Sequence, residues 1–423
     1  MDALETVNFP EDSLTRINAN AFTYSGLTSL ELPNSVTNVA TAAFSHCQNL
    51  KTAKLSSSMT SIRKDTFAYS GLESIVIPDS ITSIKSGVFA YCSNLKSVTL
   101  PETLTEMDEI VFYSCNALES ITLPDSLTSI SENLFYRCTG LANVQFGANT
   151  KNIGNSAFYG CTGLQEIIIP DTVTTIGESA FSECTNATKV VIPDSVTQLG
   201  KWAFYDDSSL TDVTIGSGLT KLDNYQFYRC SSLEDITIPD NVTSLGNYTF
   251  ACKNLSHVDL PETLETIGNA AFADCDSLAE VTIPKSVTSI GSNAFGYKIE
   301  KDSLVKGNDI TIKGNNNTAA KDYADSNDLT FDALDPVTTT ETSVATGTTT
   351  TETSTETGTE TSASAPTQIL YGDANLDGRV DITDSVVLNK AAAGAVQLSD
   401  SARANADCNA DGVLGSEDAT ILM

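Results

Sequence analysis

Phenylalanine recurs at Phe22, Phe44, Phe67, Phe89, Phe112, Phe135, Phe158, Phe181, Phe204, Phe227, Phe250, Phe272 and Phe295, at intervals of 22 or 23 residues. A fixed period of that length restricts a chain to repeat architectures, in which each unit stacks on the next. Thirteen units begin at Leu4, Leu27, Leu50, Leu72, Leu95, Leu118, Leu141, Leu164, Ala187, Leu210, Leu233, Leu255 and Leu278. They share the pattern L-x-x-[VI]-x-[IL]-P-x-[ST]-[VIL]-T-x-[IL]-x5-F-x-x-C, as in Leu72–Asn94 and Leu118–Gly140.

The chemistry of one unit predicts its shape. Leu118, Ile121 and Leu123 are set among polar residues, which predicts a strand with one face inward. Pro124 ends it, because proline has no N–H for a ladder. Leu127 to Ile130 alternates again and predicts a second short strand. Phe135 then fills the coil interior from a tight turn. One unit cannot bury its own apolar face; thirteen stacked at the ~4.8 Å strand spacing make a continuous core in a rod of roughly 60 Å.

This pattern resembles the BspA-type leucine-rich repeats of bacterial surface and secreted proteins. The resemblance covers about 300 of the 423 residues. It implies a β-rich leucine-rich-repeat solenoid with two short strands per coil, serving one of many binding roles. Met1-Asp2-Ala3 stands where other units carry Cys-x-x, so the expectation is a truncated N-terminus that has lost its cap and its signal peptide. After residue 300 the pattern loosens into an expected polar cap (301–335), with a strand at Ile310–Ile312, a helix at Thr318–Asn327 and a last strand at Leu329–Phe331. Residues 336–367 hold no core-forming pattern and read as a Thr-rich disordered linker, whose ends a flexible coil would hold roughly 30 Å apart.

The last segment, 368–423, carries the sharpest motif. Asp373, Asn375 and Asp377, with Gly378 at the sharp turn, open a calcium loop; Arg379 offers its carbonyl, Asp381 sits at position 9 and Asp384 at position 12. A second loop has Asp407, Asn409, Asp411, Gly412, the Val413 carbonyl and Asp418. Two such loops in register predict two bound Ca2+ ions. Position 12 is Asp rather than Glu in both, and no entering helix precedes the first. That combination resembles the type I dockerin, a small α-helical EF-hand-like calcium-binding module that binds a cohesin domain on a scaffoldin and so docks its owner into a cellulosome, the machinery of polysaccharide catabolism. The resemblance implies that Ile382, Thr383, Asn389 and Lys390, with Ser416 and Glu417 from the second half, face the cohesin. The expectation is a dockerin truncated at its C-terminus, its second helix cut short at Met423.

The remaining residues narrow the function. The net charge is −31, from 54 acids against 23 bases, which disfavours nucleic acid or an anionic membrane as the main partner. No run of 18 apolar residues exists to span a bilayer. The two histidines, His46 and His257, lie ten repeats apart, roughly 48 Å, too far to share a catalytic site. Cysteines at one repeated position read as a buried ladder, with Cys408 apart in the tail. Outward carboxylates such as Glu31, Glu166, Asp212, Asp235, Asp259 and Glu280 read as a solvated face. The candidate ligand patch is aromatic: Trp202, Tyr225 and Tyr248 precede the ladder Phe by two residues in three successive units, and Tyr205 and Tyr228 follow it by one. The reading is a secreted, extracellular or surface-associated protein without catalysis. Its solenoid binds a protein partner and its dockerin anchors it. Two alternatives stand: a carbohydrate-binding component, if the aromatic row is flat and exposed, or a fragment of a larger dockerin-bearing enzyme.

Overall fold

The computed structural model describes residues 4–301 and 303–335. The Thr-rich segment, Cys408, both Asp-rich loops and the expected cohesin-facing residues lie outside the described residues.

The repeats form a β-solenoid of about fourteen turns. A typical coil contributes a three-residue strand such as Ser120–Thr122 and a two-residue strand such as Ser129–Ile130. Both ladders are parallel and shifted by one repeat: Ser120 lies opposite Asn143, and Ser129 opposite Asn152. The alternation decides which side faces in. Ile121 is buried while Ser120 and Thr122 are exposed. Between the strands the Pro124 carbonyl accepts the Leu127 N–H at 3.0 Å, closing the turn that proline starts.

The phenylalanines fill the coil centre. From Phe44 to Phe295 each is at most 1% exposed, and Phe22 in the first rung is partly buried. Neighbouring rings lie within 18° of parallel. Their centroids are mostly over 5 Å apart, from 4.9 Å between Phe272 and Phe295 to 6.0 Å between Phe67 and Phe89, so the stack is offset, the arrangement the ring quadrupole favours.

The turn around each Phe is held by two alternating sets of backbone bonds. The N–H groups of Asn20, Phe22 and Tyr24 cross to the next coil at Thr41, Ala43 and Ser45, while those of Ala21, Thr23 and Ser25 close back on Asn18, Asn20 and Phe22. This leaves no orphan donor across the turn. It also requires left-handed backbone two residues before each Phe, with φ between 51° and 61° at the non-glycine positions from Asn20 to Asn293 and 70° at Gly87. Asn, Asp and Gly suit that conformation; Trp202, Tyr225 and Tyr248 adopt it against a cost of about 1–2 kcal/mol per residue.

The C-terminal closure follows the expected order, with one addition. Thr311–Gly314 pairs in parallel with Glu280–Thr282 and with Thr330–Ala333, and the Ala319–Ser326 helix lies between the last two strands in sequence. Tyr323 on that helix ends the phenylalanine stack. Its ring meets Phe295 edge-on at 6.0 Å, and its hydroxyl accepts the Phe295 N–H at 2.8 Å and donates to the Phe295 carbonyl at 2.9 Å. Burial pushes the Tyr323 phenol up to about 12, so it keeps the proton it donates. The addition is an antiparallel hairpin, Tyr297–Glu300 with Ser303–Lys306, which straddles residue 300. Its charged termini and four-residue strands mask the alternation in the sequence.

Candidate binding surfaces

The aromatic patch is assembled as the spacing predicts, but its rings face one another. Trp202 and Tyr225 stack at 5.6 Å and 18°, and Tyr225 and Tyr248 at 5.0 Å and 5°. Tyr228 stands edge-on to both Tyr225 (5.6 Å) and Tyr248 (5.9 Å), and Tyr205 tilts against Tyr228 at 5.5 Å. All five side chains are half-buried. The hairpin lies over the C-terminal end of the row: Leu304 packs with Tyr228 and Tyr248 on Ala251, Ala270 and Ala273. Ile299, Ser303 and Leu304 then wall a cleft of ≈ 330 Å³ beside Tyr225, Tyr228 and Tyr248. The patch is therefore not a flat row of open ring faces. Its packing offsets the left-handed backbone beneath it.

A longer aromatic ladder occupies the first half of the rod. Tyr24, His46, Tyr69, Tyr91, Tyr113, Tyr136 and Tyr159 stack in succession with centroids 4.4–5.2 Å apart. Tyr24 is 58% exposed, and Tyr69 and Tyr91 are 40% and 42% exposed. The sequence hides its continuity because the ring moves from two residues after the Phe in the first four rungs to one residue after it from Tyr113 onward. His46 is a rung of this ladder, between Tyr24 and Tyr69. Ser45 Oγ donates to the Ala68 carbonyl at 3.1 Å and lies 2.8 Å from His46 Nδ1, which assigns the ring proton to Nδ1. At the far end the Tyr159 hydroxyl donates to the Glu183 carboxylate, and burial together with that carboxylate raises the Tyr159 phenol.

On the strand face the outward carboxylates are partnered or solvated. Lys54 reaches Glu31 at 2.6 Å, Lys189 reaches Asp212 at 3.0 Å and Lys313 reaches Glu280 at 2.8 Å, while His257 sits 3.1 Å from Asp259. Exposed pairs of this kind add little stability.

The coil geometry accords with comparison to known families. A family model described as BspA type leucine rich repeat region (6 copies) matches residues 1–96, 60–188 and 174–300. The chain belongs to this family. Residues 371–423 match the dockerin type I domain, a calcium-binding family, so the chain joins BspA-type repeats to a dockerin. Among solved structures, a leucine-rich repeat protein from Bacteroides ovatus is similar at 26% identity and a TM-score of 0.65, covering 78% of this chain and 92% of that one. A leucine rich cell surface protein from Faecalibacterium prausnitzii is 23% identical with a TM-score of 0.41, covering 71% and 77%. Comparison with curated proteins finds no match. Both families are non-catalytic and typically extracellular or surface-associated. No helix among the described residues is long and apolar enough to cross a membrane.

The cysteines of this BspA-type array serve the backbone. Each ladder thiol donates to the carbonyl of the preceding rung's Phe: Cys115 to Phe89 at 3.1 Å, Cys138 to Phe112 at 3.0 Å, Cys161 to Phe135 at 3.1 Å. Ser25 and Ser70 hold the same position, each beside the next rung's sulfur at 3.2 and 3.3 Å. Burial pushes the Cys92 thiol up to about 11 and Cys138 up to about 12, and raises Cys115, Cys161, Cys184, Cys230 and Cys275 well above the ordinary range. All nine thiols are free and buried. A thiol that is neither ionised nor accessible does not react. At pH 8 the native chain should therefore show none of these nine thiols to an aromatic disulfide reagent, and all nine together in urea; labelling of Cys138 under native conditions would refute this assignment.

Proposed function

We propose that the chain is a non-catalytic, secreted interaction protein organised as a repeat solenoid (1–300), its cap (301–335), a Thr-rich connection (336–367) and a dockerin (368–423). The solenoid presents an elongated acidic surface to a protein partner, and the dockerin anchors it to a cohesin of a scaffoldin in a cellulosome-type complex. The observation that carries this reading is the pairing, in one chain, of BspA-type repeats with a dockerin match over the two D-x-N-x-D-G loops. Asp373, Asn375, Asp377, Asp381 and Asp384 supply side-chain oxygens and Arg379 a carbonyl to one Ca2+; Asp407, Asn409, Asp411 and Asp418, with the Val413 carbonyl, hold a second. The hard oxygen donors fit Ca2+ and no softer metal. Anchoring acts by mass action, raising the local concentration of the solenoid around the scaffold. A carbohydrate platform is the weaker reading, since the candidate rings offer edges where sugar stacking needs faces.

Calcium tests the anchor. Full-length chain should bind an immobilised type I cohesin in calcium buffer and leave it in excess EDTA, because clustered carboxylates without metal repel one another. Asp377→Ala and Asp411→Ala should each weaken binding by tenfold or more. Retention on cohesin in EDTA would overturn the dockerin role.

A further inference from the structure

The first-strand ladder opens between the seventh and eighth coils. In the sixth and seventh coils the Ala142 N–H donates to Glu119 at 2.9 Å and the Leu123 N–H to Gln145 at 2.8 Å. In the eighth and ninth the Thr188 N–H donates to Gln165 at 2.8 Å and the Ile169 N–H to Val191 at 3.2 Å. Between the seventh and eighth, the corresponding bonds from Gln165 to Ala142 and from Phe146 to Ile168 are not made. Among the described residues no backbone hydrogen bond joins 142–146 to 165–169. A slot of ≈ 570 Å³ stands there instead, lined among others by Val144, Gln145, Phe146, Gln165, Ile167 and Ile168. Strand pairing lapses at other steps too, as between Asp212–Ile215 and Asp235–Thr237. This one carries Phe146 where most coils carry Leu or Ile, and Leu100 and Leu260 are half-buried at that position as well. The same position holds Leu123 and Ile169 in the flanking coils, each 2% exposed. Phe146 is only half-buried, its ring set edge-on against Phe158 at 5.9 Å and 68°. Phe9 makes the same contact with Phe22, at 5.7 Å and 87°, and there the Thr28 N–H still donates to Glu5 at 3.1 Å. The opening is confined to the first strands: Asn152 still pairs with Thr175, and the Phe158 and Phe181 rings stack at 5.1 Å.

We propose that this slot is a strand-addition site for a basic, extended segment of a partner protein. Both walls carry unsatisfied backbone donors and acceptors, which an inserted strand satisfies on its two edges. Val144, Phe146 and Ile167 give its inward side chains an apolar floor. Exposed Glu119 and Glu166 stand on the strand face here; Lys189, in register with Glu166, is shared with Asp212 at 3.0 Å, so the outward side chains meet net negative charge. That charge selects against the other occupants. A second copy brings a net charge of −31, and residues 336–367 contain four Glu and no Lys or Arg. The proposal rests on the reading of the solenoid as a protein-binding rod and gives that rod a site.

Hydrogen exchange of the full chain tests it, with a short synthetic peptide alternating lysine and valine as probe and its glutamate–valine counterpart as control. In the free chain, amides of 142–146 and 165–169 should exchange faster than those of Lys189–Ile192. The lysine peptide should slow them by about tenfold or more and the glutamate peptide should not. Glu166→Gln should weaken the lysine peptide by about threefold with the slot still open. The proposal is overturned if the free chain already protects both segments, if the lysine peptide leaves them unprotected, or if the two peptides act alike. Failure at the slot with cohesin binding intact removes this site alone, and leaves the anchored-rod reading to its own calcium test.

Discussion

Phe112→Ala lowers the stability of the repeat array by about 4 kcal/mol. Phe112 is fully buried and stacks on Phe89 at 5.6 Å and on Phe135 at 5.4 Å. Truncation removes its apolar burial and leaves a cavity that neighbours on two parallel ladders cannot collapse into, because both coils are fixed by backbone bonds on the turn face. The Phe112 N–H donates to Leu134 at 3.0 Å and the Phe89 N–H to Val111 at 3.0 Å. Stability in a linear array is a sum of repeat and neighbour terms, so a lesion in the middle also uncouples the two halves. Urea unfolding followed by tyrosine fluorescence and circular dichroism should show an earlier transition that splits in two. Phe22→Ala is the control. Its ring is partly buried in the first rung, and the loss should be about 1 kcal/mol with a single transition retained. Equal losses at the two positions would mean that the stack is not the element that couples the coils.

That asymmetry marks what a sequence of this kind discloses. The period places Leu, Ile and Phe inside because each position repeats the same side-chain demand, and the positions of Phe135 and Ile121 are buried in most coils for the same reason. Even the cap helix and its two flanking strands follow from local pattern. The features that escape the pattern depend on contacts between coils. Tyr91 and Tyr113 occupy different offsets from their Phe, yet their rings meet at 5.2 Å. The Ser303–Lys306 strand has no repeat to be compared with, and it lies over Tyr228 and Tyr248, rings that the sequence presents as free. The slot beside Phe146 lies between two coils that each satisfy the apolar consensus, so the repeat pattern does not disclose it. The proposed calcium ligands are the opposite case. Asp373 to Asp384 and Asp407 to Asp418 are proposed residue by residue from sequence, because a calcium-loop motif is a local pattern that needs no distant partner.

Asp207→Ser should stabilise the array, and by more as pH rises. Asp207 stands in the thiol ladder, wholly buried between Cys184 and Cys230. Its Oδ1 accepts the Cys184 N–H at 2.8 Å, and its Oδ2 has no partner. Every neighbouring rung uses this position to donate to a Phe carbonyl, as Cys230 does to Phe204 at 3.2 Å. A carboxylate has no hydrogen to give, whereas the protonated acid has one. Burial, only partly opposed by the Cys184 N–H, raises the Asp207 carboxyl well above the usual carboxylate range. The sign follows from linkage. Below pH ~3.9 the residue is protonated in folded and unfolded chains alike, and its fit to the ladder is intact. Above that value the unfolded chain releases the proton while the folded chain holds it, so folding loses about 1.4 kcal/mol per pH unit until the buried acid itself ionises. Serine, already present in the ladder at Ser25 and Ser70, donates without a charge. The difference in urea midpoint between Asp207→Ser and the parent should therefore be small near pH 4 and widen steadily toward pH 7, while the other carboxylates cancel in the comparison. Parallel pH profiles for the two chains would show that Asp207 is ionised in the fold, and that its position in the ladder is hydrated rather than closed.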